Sequence, residues 1–348
     1  MAEIAIPKEG LGFGEAIPLR KIGPVERLIG PESYRIVVAL LKTPVSILGF
    51  SLIAFFVVVA LAAPILAPPV NPANPYDIPR DGFRAEPQPM MSVWNREQPP
   101  LPVWWGAIMG TDQWVHIMGT SEGQYDLYYG IVWGTRTAFK TGLIVTFATL
   151  FVGVLVGSIS AYYGGAVDNV IMRGVDIMLT LPFILAALIL AAVLTPKIGR
   201  SLLPATIALI TFGWMGYSRI IRGDILSVKQ RDYVMAARVI GVTDSRILIR
   251  HIIPNAIFPT LVLASLAIGD VVLSFAALSF LGIGTPIGYA DWGQTLSFAR
   301  NWITSLATYW YIVVWPGLTL VLFVMGWNLV GDALRDVFDP RMRGRGGA

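Results

Sequence analysis

Residues 44–66 read PVSILGFSLIAFFVVVALAAPIL, and none of them carries a charge. A run of roughly 20 apolar residues is what a helix needs to cross the hydrocarbon core of a bilayer. ALAAP at 60–64 resembles a small-residue cleavage site, but the apolar run before it starts too late and is too long for a signal peptide. The stretch therefore reads as a retained anchor. Five more apolar runs follow, at about 139–163, 174–194, 203–221, 255–281 and 311–331, the fifth span (255–281) being long enough to tilt. Together they predict an all-α integral membrane protein of six transmembrane helices. Composition agrees, with 55% hydrophobic and 14% charged residues, against about 25% charged in an ordinary soluble domain.

Several chemistries are excluded early. The chain has no cysteine, hence no disulfide framework and no thiolate ligand or nucleophile. His116 and His251 are far apart in sequence and suggest no metal site. No Gly-x-x-x-x-Gly-Lys-Ser/Thr loop is present to cradle a nucleotide, and no nucleophile–base pairing suggests a catalytic residue. Nothing points to nucleic acid.

Basic residues set the orientation. With the N-terminus inside, 18 Lys and Arg fall on the inner side and 8 on the outer. Most of the tryptophans, among them Trp94, Trp104, Trp105, Trp292 and Trp310, fall on or near the outer side, as interfacial aromatics do. Both terminal segments, 1–43 and 332–348, are thus expected in the cytoplasm. Residues 67–138 form a long, proline-rich external loop, read as a small subdomain capping the outer face. IMGT occurs in it twice, at 108–111 and 117–120, and nothing is built on the repeat.

One passage breaks the apolar pattern. Residues 232–256, DYVMAARVIGVTDSRILIRHIIPNA, lie between the fourth and fifth spans and hold three arginines and a histidine. The spacing predicts a helix over Asp232–Ile240 capped by Gly241. A second helix, RILIRHII, is expected after a cap at Thr243, Asp244 or Ser245, with Pro254 closing it. Tyr233, Ala236, Ala237 and Ile240 fall on one face of the first helix, and the two alanines let another surface approach closely. Asp270 stands near the middle of the fifth span, where a carboxylate costs roughly 2.5–3.5 kcal/mol to insert and so faces a partner or a watery path. Gly153 and Gly157 form a Gly-x-x-x-Gly in the second span, and Pro182 predicts a kink in the third.

The cytoplasmic passage resembles the coupling loop of ABC importer permeases, with Ala236, Ala237, Gly241 and Pro254 in the order and spacing of that family's Glu-Ala-Ala, three-residue, Gly pattern. Met235 stands where the glutamate is usual. HIMGTSEGQYDLYYGIVWGTRTAF (116–139), VDIMLTLP (175–182), GWMGYSRIIR (213–222), LSFLGIG (278–284), DWG (291–293) and NLVGDALRDVFDPRMR (328–343) resemble the dipeptide/oligopeptide group of C type. Ser121, Gln124, Tyr125 and Gly130 depart from that group's pattern. The likeness covers nearly all the chain except about 1–34 and 83–115.

The resemblance implies the ABC importer (type I) permease fold, with a permease core over 139–331 and a coupling loop over 222–254. It implies a non-catalytic subunit of a prokaryotic cytoplasmic membrane. Its partners would be a second homologous permease, two cytoplasmic ATPases that use ATP and Mg, and an external substrate-binding protein. Tyr233, Ala236, Ala237, Arg238, Gly241 and Pro254 would transmit motion from an ATPase, and Asp270 is the candidate for the substrate path. The rival reading is a stand-alone secondary transporter, which would normally show inverted repeats and several intramembrane charges.

Overall fold

The computed structural model of the protein describes residues 43–96 and 98–336, the backbone of residues 337–338, and Gly30 and Leu40. The expected placement of residues 1–42 and 339–348 therefore lies outside the described residues.

Helix α1 (Pro44–Leu66) buries Ser46, Gly49, Phe56 and Ala63, which recur by threes and sevens down one side. Val45, Leu48, Phe55, Val58, Leu61 and Ile65 stay exposed around the rest. A helix apolar on all sides and buried along a single seam is one made to face lipid. After it come a two-residue strand β1 (Ser92–Val93), helix α2 (Val103–Met109) and strand β2 (Val115–His116). The strands pair antiparallel, Ser92 opposite His116 and Val93 opposite Val115. Trp94, Trp105 and Trp114 bury one another beneath this ribbon, so the long loop is a small folded subdomain.

Helix α3 (Leu127–Tyr163) has 37 residues, about 55 Å at 1.5 Å per residue, far more than a bilayer core. It begins earlier than the span expected from Phe139, because Asp126 caps it by accepting from Tyr129 N at 2.8 Å. Its first turns fasten the end of α1. Pro64 has no N–H, which leaves the Ala60 carbonyl without its helical donor. Arg136 Nε donates to that oxygen at 2.5 Å. Trp133 Nε1 and Tyr128 Oη donate to the Ala67 and Leu66 carbonyls at 2.8 and 3.0 Å.

The third expected span is not one helix. α4 (Gly165–Leu179) and α5 (Phe183–Ile198) meet at a bend of 87°. Pro182 forces the break, since its ring excludes the preceding residue from helical geometry. α6 (Leu202–Val228) is continuous, and α3 packs closest against it, Gly153 and Gly157 lying against Trp214, Tyr217 and Ser218. Next come α7 (Asp232–Val239), α8 (Asp244–Ile247), α9 (Ile253–Ala256) and α10 (Phe258–Phe280). α11 (Trp292–Ser297), α12 (Leu306–Tyr309) and α13 (Tyr311–Phe338) complete the chain.

Each of the six expected runs is mainly helical, the third in two pieces. Among the described residues, α1, α3, α10 and α13 are each long and apolar enough to cross a membrane, and α4 with α5 makes a fifth as one bent span. α6 falls short of that mark because Arg219 closes its apolar run, after threonine, glycine, tryptophan and tyrosine have already diluted it. One side of it packs into the bundle, with Ala205, Ala208, Leu209, Ile221 and Ile225 fully buried, while Leu203, Ile207 and Ile220 stay exposed.

Candidate functional site: a helical knob between α6 and α10

The passage from Lys229 to Ala256 folds as a compact knob at the end of the bundle opposite the subdomain. α7 ends as the sequence expects. Gly241 adopts φ +79°, Gly241 N bonds to the Arg238 carbonyl at 3.0 Å, and Val242 N reaches back to Ala237 at 3.1 Å. This paired closure needs a left-handed residue, and glycine takes that conformation without a Cβ penalty. A Cβ at Gly241 would meet nothing within 4 Å, so backbone conformation alone calls for the glycine.

The second helix differs from the expectation. RILIRHII is not a continuous α-helix: α8 lasts one turn, then Leu248–Ile252 widens into a π-turn before α9. Pro254 is the cause. Its ring would clash with the carbonyl four residues back, and the wider turn, in which Ile253 N bonds to the Leu248 carbonyl, relieves that contact. Thr243 precedes α8 with no side-chain cap, and Asp244 points to Tyr162 instead.

The face assignment needs one correction. Ala237 is only 7% exposed and packs inward with Val234, Ile247, Ile252, Ile221, Ile225, Ala161 and Tyr162. Tyr233, Ala236, Arg238 and Pro254 are exposed. Ile240 and Val239 project furthest, at 78% and 86% exposed. The knob thus has a fixed apolar base and an exposed apolar tip, and Arg231, Arg238, Arg246 and Arg250 are exposed on the same segment.

Asp270 is exposed on α10, within electrostatic reach of Tyr217 on α6. Among the described residues its carboxylate makes no hydrogen bond or ion pair. The structure does not bring it near the knob.

Two polar centres escaped the sequence reading. In the subdomain His116 is wholly buried, with Nδ1 2.7 Å from Asp126 and Nε2 3.4 Å from Asp81. Burial disfavours the Asp81 charge, yet hydrogen bonds from Gln88, Asn95 and Arg96 outweigh it and hold the carboxyl below its ordinary range. Two acids and a histidine in a tryptophan-rich loop were the available signal. Beside them opens a cleft of about 1,090 Å³ lined by Phe83, Arg84, Glu86, Arg96, Tyr309 and Tyr311.

The second centre is Asp291, from the DWG stretch. It caps α11 through Gly293 N at 3.0 Å and accepts from Thr285 Oγ1 at 3.2 Å. Burial pushes its carboxyl up to about 6, against the lowering effect of those bonds. A folded-state value above the unfolded one means the native state holds the extra proton between about pH 4 and 6, so stability falls as pH rises through that window. Asn at 291 keeps the cap and removes the charge. Asp291→Asn is therefore expected to be more stable than the wild type at pH 7.5, and the gap is expected to narrow by about 1 kcal/mol on going to pH 5. Thermal melts of the detergent-solubilised chain at the two pH values check this. A gap independent of pH would mean that Asp291 does not titrate in the range.

A bundle of membrane-crossing helices with an exposed helical knob at one end and a small folded subdomain at the other fits a membrane transport component. The family described as binding-protein-dependent transport system inner membrane component matches residues 153–344. The dipeptide transport system permease protein of Alkalihalophilus pseudofirmus is 32% identical over 87% of this chain and 88% of its own length. That of Haemophilus influenzae is also 32% identical, over 83% and 89%. A chain of the inward-facing MetNI methionine ABC transporter aligns at 18% identity over 61% of this chain and 97% of that one, with a TM-score of 0.49. The chain belongs to the family of binding-protein-dependent transport system inner membrane components. It is a multi-pass membrane permease subunit of an ABC importer.

Proposed function

We propose that this subunit forms half of a translocation path for peptides or a similar solute, and that the knob docks a cytoplasmic ATPase. The observation that carries the reading is the exposed apolar tip at Val239 and Ile240 on a base held rigid by Val234, Ala237, Ile247 and Ile252. Tyr233, Ala236 and Arg238 supply the contact surface. Ala237, Gly241 and Pro254 fix its shape.

In this reading both termini and the knob are cytoplasmic, and the subdomain with its cleft faces an external substrate-binding protein. A second homologous permease completes the path, and two ATPases bind and hydrolyse ATP with Mg. Asp270, exposed on α10, is assigned to the path, where it meets a cationic part of the solute. The dipeptide names of the relatives favour peptides as that solute.

Because the chain has no cysteine, a single thiol tests the docking. Ala236→Cys is the better position than Ala237, which faces inward. The expected result is a crosslink to a cysteine in the ATPase groove whose yield changes with ATP. A folded, inserted chain that crosslinks to no co-encoded ATPase, yet moves solute in liposomes without one, would make it a secondary transporter.

A further inference from the structure

The knob is joined to the bundle covalently through α6 and through α9 into α10, but it is also held from the side. Tyr162, at the end of α3, donates its phenolic O–H to Asp244 Oδ1 at 2.5 Å. Its ring is buried among the apolar base of the knob, with the Arg238 guanidinium 5.7 Å and Lys229 Nζ 5.4 Å from the ring centre. Lys229 also donates to the carbonyls of Ala161 and Tyr162. Those oxygens belong to the last turn of α3, where carbonyls lack helical donors and a cation suits the helix dipole.

The polar contacts continue from there. Ser160 donates to Asp168 of α4 at 2.5 Å. Arg222 of α6 holds the same carboxylate with two bonds, at 2.6 and 2.5 Å. A second pair, Arg219 with Asp176 at 2.7 Å, ties α4 to α6 nearer the 87° bend. α4 buries Val175 alone, so these ion pairs, rather than apolar packing, set where it sits. Paired charges with defined geometry are directional in a way that apolar contact is not.

We propose that Tyr162 is a positioning residue that carries movement of the knob sideways into α3 and, through Ser160 and Asp168, into α4. This rests on the reading of the knob as an ATPase dock. Without the Tyr162–Asp244 bond, displacement of the knob reaches α3 only through apolar packing around the Tyr162 ring and the Lys229 bonds, which are less directional. With it, the ends of α3 and α4 follow as well, and the inner mouth of the path changes shape as one unit.

The test uses the reconstituted complex of both permeases, the ATPases and the binding protein. Tyr162→Phe removes the O–H and leaves the ring in its cluster. The ATPase is expected to copurify in the wild-type amount with its basal hydrolysis intact. Hydrolysis stimulated by the loaded binding protein, and uptake with it, falls about tenfold. Asp244→Ala, at an exposed residue, produces the same fall, and the double variant is no worse than the worse single. A contact that served stability alone would lower the yield of complex and leave the stimulation ratio of the assembled fraction unchanged. Wild-type stimulation in Tyr162→Phe, or additive losses in the double variant, would overturn the proposal. A wild-type chain that retains no ATPase would instead overturn the docking reading beneath it.

Discussion

Replacing Ile240 by aspartate is expected to strip the ATPase from the assembled importer while the permease itself still folds and inserts. Ile240 is 78% exposed, so the substitution removes little from the internal packing of the chain. It ends α7, between Val239 and Gly241, its N–H bonding back to the Ala236 carbonyl. Once docked, that position is desolvated, and a carboxylate there loses its water where isoleucine lost none. It also adds a negative charge near the C-terminal end of α7, the wrong sign for the helix dipole. The desolvation cost weakens docking roughly 100-fold. Copurification of the ATPase with the detergent-solubilised permease measures it, and folding is checked separately by gel filtration. Val239→Asp serves as the companion, being still more exposed. If both variants hold the ATPase at wild-type levels, the tip is not the contact and the dock lies elsewhere on the basic end.

The elements most legible in the sequence are those governed by local rules. α1 runs from Pro44 to Leu66, the limits its apolar run shows, because nothing charged interrupts it and prolines mark both flanks. Gly241 likewise announces its turn, since a helix end followed by glycine has few alternatives. The bend between α4 and α5 was legible as a kink at Pro182, yet its size was not. A hydropathy run averages across Thr180, Leu181 and Pro182 and sees one span where the backbone makes two pieces. Ala237 was placed on the docking face because three-and-four spacing groups it with Tyr233 and Ala236. Its inward position is decided by Ile247 and Ile252, which return beneath it only after the turn at Gly241. Asp168 with Arg222, and Tyr162 with Asp244, are separated by 54 and 82 residues. Such pairs appear only when the bundle closes.

Gly157→Leu is expected to destabilise the isolated chain by at least about 3 kcal/mol, beyond the usual cost of overpacking. The Gly-x-x-x-Gly of α3 is a common pattern in membrane helices and says little alone, but here the structure shows what it meets. A Cβ on Gly157 would lie 2.4 Å from the Ser218 carbonyl oxygen and 2.5 Å from Ile221 Cγ2. The first of these is backbone inside α6 and cannot turn aside, so any side chain must push two whole helices apart. Gly153 is under the same constraint, its Cβ 2.6 Å from Tyr217 Cβ and 2.7 Å from the Trp214 carbonyl oxygen. Gly223 in α6 provides the control, because a Cβ there meets nothing within 4 Å. Leucine at 223 gains helix propensity without a clash and is expected to raise stability by about 0.5–1 kcal/mol. The same chemical change in two helical glycines thus moves the melting temperature in opposite directions. Should both substitutions stabilise, helix propensity would outweigh the close approach, and the seam between α3 and α6 would have room that this geometry denies it.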